Sequence, residues 1–260
     1  MIDLNNTDIW KHHLNHIMLE DTNRGNNAEP RGIPIIEALG VSITIDMETP
    51  IINHEKRKLN QSFMFGEAYW ILSGSNDLEG VARYMKKIRN YSDNGSILSG
   101  AYGPHVVRQL EYVKRTLLKD RDSRQAVLTI WQERPEPSKD IPCTVSLQFL
   151  LRNNKLNCVA YMRSSDAYIG LPYDLFVFSC ISARVSEMLG ISGITLGELT
   201  VCAGSAHIYK DDYKCALPIA LDLYEIGNND KTSSDFDIYA KSGIVPELRR
   251  VLEGLGHEFN

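Results

Sequence analysis

Pro142-Cys143-Thr144-Val145-Ser146-Leu147-Gln148-Phe149-Leu150-Leu151-Arg152-Asn153-Asn154-Lys155-Leu156-Asn157-Cys158-Val159-Ala160-Tyr161-Met162-Arg163-Ser164-Ser165-Asp166 is the stretch from which the rest of the chain can be read. Val145 to Leu151 and Leu156 to Met162 have the composition of strands, and Asn153-Asn154 between them marks a tight hairpin. Downstream, Pro172 to Leu189 is a mostly apolar helix with proline near its start and Gly190 as its stop. Ile194 to Ala203 then reads as a strand that leads through Gly204 to His207 and a further helix.

Upstream, Ala126 to Trp131 and Val41 to Ile45 read as strands. Gly103 to Leu118 has helical periodicity, and Leu59 to Leu72 is a largely buried helix that carries Glu67. Asp8 to Leu19 is an amphipathic helix, and the turn-rich residues 22–34 predict a mobile loop. With no repeats and no break in composition, residues 1–260 form a single domain.

At 260 residues, with 43% hydrophobic and 23% charged residues, the chain can bury a sizeable core. A net charge of −5 argues against broad nucleic-acid binding, while leaving room for a local basic pocket. Five cysteines at irregular spacing, without a CxxC pair, match neither a disulfide framework nor a zinc site, so no metal is expected. The polar N-terminus lacks a signal-type apolar core and no stretch reaches transmembrane length, which predicts a cytoplasmic protein that binds no membrane.

Most cysteines between strands are small core hydrophobes. Cys143 differs in following a proline and lying at the mouth of a strand, where a thiolate nucleophile would be accessible; Arg163 and Arg124 are candidate neighbouring cations. Arg163-Ser164-Ser165 offers a guanidinium and two hydroxyls suited to a phosphate monoester, although a salt-bridged surface arginine has the same signature. His207 and Tyr209 are two apart and share one side of an extended segment. Glu67 in an apolar helix is either a structurally paired carboxylate or one that organises water and protons.

Together these segments closely resemble the thymidylate synthase family, most of all its pyrimidine hydroxymethylase branch. The resemblance rests on Gly66-Glu67-Ala68-Tyr69-Trp70-Ile71-Leu72, Gly100-Ala101-Tyr102-Gly103, Asp122-Ser123-Arg124, Pro142-Cys143, Gln148-Phe149, Arg163-Ser164-Ser165-Asp166, Gly170-Leu171-Pro172-Tyr173-Asp174 and His207-Ile208-Tyr209. It covers residues 60–215, and is weaker over 31–59 and around Phe236-Asp237-Ile238. It implies an α/β (α+β) fold, a mixed β-sheet flanked by helices, and a homodimer joined through that sheet.

The resemblance also assigns roles. Cys143 would add to C6 of a pyrimidine nucleoside monophosphate. Arg31, Arg163 and Ser164 would bind its phosphate, with Arg124 supplied by the other subunit. His207 and Tyr209 would hold the sugar, and Glu67 and Tyr102 would manage proton transfers. Asp166 and Gly170 would border the cosubstrate, 5,10-methylenetetrahydrofolate.

Three departures from the synthase pattern refine this expectation. Asp174 stands where synthases acting on uracil carry asparagine; a carboxylate accepts from the 4-amino group of cytosine, which points to dCMP. A helix N-terminal aspartate favoured by the dipole is the plainer reading of the same residue. The stretch Lys87-Ile88-Arg89-Asn90-Tyr91-Ser92 lacks the tryptophan that walls off the reacting methylene in synthases, which favours a hydroxymethyl product. The paired arginines of synthases become Arg124-Gln125, and the C-terminal run Leu248 to Asn260 does not resemble the short apolar tail that closes over synthase ligands. The alternatives are a thymidylate synthase acting on dUMP, a CMP hydroxymethylase, and a nucleotide-binding relative without turnover.

Overall fold

Asn153 and Asn154 both adopt left-handed backbone angles (φ 50° and 59°), and the hairpin they close pairs Arg152 with Lys155. The computed structural model describes residues 4–25, 28–133, 137–222, 236–238, 240 and 242–257. The two hairpin strands are β3 (Thr144–Arg152) and β4 (Lys155–Asp166). On one face Leu147, Phe149 and Leu151 of β3 and Leu156, Cys158, Ala160 and Met162 of β4 are buried.

The apolar helix α5 (Leu171–Leu189) covers that face and ends at Gly190 in the left-handed region. It is buried nearly all round, as a helix enclosed by sheet and helices must be. From its end the chain returns as β5 (Thr195–Tyr209), parallel to β4. β5 also pairs antiparallel with β1 (Ile35–Asp46), while β2 (Val127–Thr129) closes the other edge against β3. The mixed sheet therefore runs β1-β5-β4-β3-β2.

β5 continues six residues beyond the expected end at Ala203, passing through Gly204. A Cβ at Gly204 would stand 3.0 Å from the Arg163 carbonyl oxygen, so the residue that reads as a break is the one that lets two backbones approach. Helix α1 (Asn6–Arg24) likewise outruns its expected end and takes in the start of the predicted loop, and Pro30–Gly32 forms a 3-10 turn. Trp10 of α1 donates its indole N–H to the Ala167 carbonyl at 2.8 Å, tying this helix to the turn between β4 and α5.

The remaining helices are α2 (Gln61–Leu72), α3 (Leu78–Ala82), α4 (Gly103–Lys119), α6 (Tyr213–Ala220) and α7 (Ile244–Gly254). α2, α4 and α7 pack around α5. The opposite face of the sheet carries Ser42, Thr44, Gln148, Leu150, Val159, Tyr161, Thr200 and Cys202, none of them buried. No helix among the described residues is long and apolar enough to cross a membrane.

Candidate active site

β3 begins where β4 and β5 end, so one end of the sheet gathers Cys143, Arg163, Ser164, Asp166, His207 and Tyr209. Cys143 is half-buried just before β3, and Ser164 Oγ donates to its Sγ at 3.6 Å. Arg163 N–H bonds the Cys143 carbonyl at 2.9 Å. The Arg163 guanidinium donates to the carbonyls of Pro142 and Ile141, each at 3.0 Å, and lies 5.8 Å from the Trp131 ring centre. Arg163 thus fixes the segment before the thiol, a task that its reading as a phosphate ligand did not include.

His207 and Tyr209 share a side of β5, their rings edge to face with centroids 5.2 Å apart. His207 is buried, and its Nδ1 has no hydrogen-bond partner among the described residues. Burial pushes the His207 imidazole below its ordinary value, and the cations of Arg31 and Arg163 add to this. A neutral buried imidazole with an unpaired nitrogen is suited to a polar ligand. Arg31 precedes β1, whose first residue Ile35 pairs with Tyr209, and the guanidinium hydrogen-bonds the Tyr209 hydroxyl.

α2 and α5 bring a row of carboxylates to the same end. Burial pushes Glu67 up to about 8, and the charge of Asp174 contributes to the rise. Asp174, in the first turn of α5, is pushed up to about 7 by burial and by Asp166. Asp166 is raised to about 6 by burial, despite accepting the Tyr168 and Ile169 N–H groups at 3.1 and 2.9 Å. Tyr102, at the start of α4, lies with its hydroxyl against Thr144 and near both Cys143 and Asp174; burial holds its phenol protonated far above the usual range.

A Cβ added at Gly170 would meet Asp166 and the Asp174 carboxylate at 3.5 to 3.8 Å, so the glycine leaves a small cradle between two acids. The segment Lys86–Tyr91 is a 3-10 turn at the rim, with Tyr91 near Tyr209 and Lys87 near Asp212. At the C-terminal end, His257 meets the Tyr84 ring edge to face at 4.7 Å.

Arg124 does not join this cluster. Its carbonyl accepts from the Gln148 side chain at 2.9 Å, and Gln148 lies about 17 Å along β3 from Cys143 at roughly 3.3 Å per residue. Its guanidinium makes no hydrogen bond or ion pair with any described residue. Among the described residues no group of three His, Cys, Asp or Glu side chains could hold a metal.

Sequence reasoning missed Arg57. Its guanidinium donates to the carbonyls of Tyr168, Ile169 and Lys58 at 3.1, 3.3 and 3.2 Å, and lies 5.2 and 5.8 Å from the ring centres of Tyr168 and Tyr173. It braces the turn that carries Asp166 into α5. A charged run, Glu55-Lys56-Arg57-Lys58, gives no sign of such a role.

The family model for thymidylate synthase matches residues 8–219. The chain is 31% identical over 212 residues to a deoxyuridylate hydroxymethyltransferase of Bacillus phage SP01, covering 73% of this chain and 54% of that protein. It is 29% identical over 175 residues to a deoxyuridylate hydroxymethyltransferase of Pseudomonas phage M6, covering 64% and 49%. The chain thus spans about half the length of the curated relatives it matches.

Proposed function

The chain belongs to the thymidylate synthase family, and from that premise we propose that it hydroxymethylates C5 of a cytidine monophosphate, converting dCMP to 5-hydroxymethyl-dCMP. The observation that carries this reading is Asp174, an acid near neutrality at the head of α5, beside Glu67 and Tyr102. A carboxyl group with a shared proton matches the base in both states. Its carbonyl accepts from the 4-amino group, and its proton passes to N3 as the ring takes up electrons.

The chemistry follows from the other groups. Cys143 sulfur forms a bond to C6, the C5–C6 π pair moves toward N3, and C5 becomes nucleophilic. Arg163, Ser164 and Arg31 hold the phosphate, while His207 and Tyr209 hold the sugar hydroxyl. C5 attacks the one-carbon unit of 5,10-methylenetetrahydrofolate, seated by Asp166 and Gly170; loss of the C5 proton then breaks the methylene–nitrogen bond, releasing tetrahydrofolate and leaving an exocyclic methylene on C5. Glu67 and Tyr102 carry the protons that leave C5 and reach water. Water adds to the exocyclic methylene, and expulsion of the Cys143 sulfur restores the C5–C6 double bond. The tryptophan-free stretch Lys87–Ser92, most of it in the 3-10 turn at the rim, supports water rather than hydride as the final partner.

The uncovered sheet face and the distant Arg124 support a homodimer in which Arg124 completes the partner's phosphate site. Incubation with dCMP, formaldehyde and tetrahydrofolate tests the reading by yielding 5-hydroxymethyl-dCMP. A methyl product accompanied by dihydrofolate, or turnover of dUMP alone, overturns it.

One other reading has specific support. With Asp174 raised to about 7, its neutral carboxyl offers one donor and one acceptor, as an asparagine amide does. Hydroxymethylation of dUMP fits that form, and both phage relatives are named for deoxyuridylate. Parallel assays with the two nucleotides at one pH separate the alternatives.

A further inference from the structure

Tyr102 and Cys143 reach the site from two irregular segments, and each segment lends a carboxylate to the backbone of the other. Asp140, half-buried, accepts the Gly100 N–H at 2.7 Å across 40 residues of sequence. Asp93, exposed on the Tyr102 side, accepts the Lys139 N–H at 3.0 Å and the hydroxyls of Ser138 and Ser99. Ser138 Oγ in turn accepts the Asp140 N–H at 2.9 Å, so one serine joins the two carboxylates.

The fit leaves no slack. A Cβ at Gly100 would stand 2.5 Å from the Asp140 carbonyl oxygen, so the two backbones lie flush. Just beyond Gly100 the chain delivers Tyr102, and just beyond Asp140 it delivers Cys143. The Tyr102 hydroxyl then sits against Thr144, near the thiol. Hydrogen bonds hold the Asp93 carboxyl below the usual range, so it remains an acceptor.

We propose that Asp140 and Asp93 are positioning residues, a reciprocal clasp that sets the placement of the Tyr102 hydroxyl relative to the Cys143 thiol. The role rests on the reading of Cys143 as the nucleophile toward a pyrimidine nucleotide. Neither carboxylate touches the reacting atoms. Their effect passes through the two backbone segments, where small displacements of reacting groups carry large rate costs.

The test is adduct formation at Cys143 with a 5-fluoropyrimidine nucleotide and methylenetetrahydrofolate, followed by mass spectrometry. In Asp140→Ala the rate constant should fall about tenfold, with nucleotide Kd changed less than about twofold. Asp140→Asn keeps an acceptor oxygen in place and should recover most of the rate. The loss should vanish in a Tyr102→Phe background, because the clasp acts through that hydroxyl.

A rate within about twofold of the unaltered protein, or an equal loss in both backgrounds, overturns the clasp. Amide hydrogen exchange provides a measurement that needs no nucleotide. Asp140→Ala and Asp93→Ala should each raise exchange in residues 98–103 and 139–144 together, and a rise confined to the mutated segment overturns the clasp as well. Should Asp140→Ala not fold, the exposed Asp93→Ala carries the same measurements. If the unaltered protein forms no adduct with any pyrimidine nucleotide, the proposed function fails and exchange still decides the clasp.

Discussion

Glu67 on α2 and Asp174 on α5 lie close enough for the charge of Asp174 to add to burial in raising the Glu67 carboxyl to about 8. Both acids bind protons more tightly in the folded chain than in the unfolded one, since Asp174 stands at about 7 against an ordinary 3.8. Their contribution to stability is therefore full below about 4 and is lost as the pH rises through about 7 to 8. Tm should fall across that window, and in Glu67→Gln the fall should be shallower. A steeper fall in Glu67→Gln would contradict the assignment.

Asp174→Asn replaces a shared proton with a fixed amide. Turnover of dCMP should drop by about 10² or more, and dUMP should become the better substrate, because the amide matches O4 and N3–H of uracil. Chromatography of products from the two nucleotides supplied together reads the switch directly.

Cys143→Ala removes the bond-forming sulfur but leaves Arg31, Arg163, Ser164 and His207 in place. Turnover should be abolished, with nucleotide Kd, measured by calorimetry, within a few-fold of the unaltered protein. Ser164→Ala makes a useful contrast, since Ser164 bonds the thiol and is proposed to bind the phosphate: its nucleotide Kd should rise several-fold.

Arg57→Ala strips two charge-assisted bonds from the turn before α5 and a third from the Lys58 carbonyl, and should cost about 1.5–3 kcal/mol in chemical denaturation. Because that turn seats Asp166, the KM for folate should rise more than the KM for nucleotide. Lysine cannot reproduce the planar fork, so Arg57→Lys should restore little.

The hairpin, α5 and its glycine stop were legible because their signals are local: paired asparagines that tolerate positive φ, an unbroken apolar run, a proline and a glycine at its ends. Cys143, Asp174 and His207 were legible through motif order. Arg57 was not, because its partners are three main-chain carbonyls, which any residue can supply. Nor was the carbonyl clamp of Arg163, whose guanidinium reads equally well as a phosphate ligand. The extension of β5 through Gly204 was hidden because glycine marks both a chain break and a close approach, and only the neighbouring Arg163 carbonyl distinguishes them.

The parallel pairing of β4 with β5 has a consequence for how the protein acquires activity. The β3–β4 hairpin can form early, since its turn is local, and it places Arg163 beside Cys143 without help from the rest of the chain. His207 arrives only after the whole of α5 has been threaded across the sheet and β5 has docked between β4 and β1. Such long-range closures are slow compared with hairpins. Completion of this residue cluster is thus a late event for the refolding chain: Cys143 and Arg163 meet first, and His207 and Tyr209 join them last.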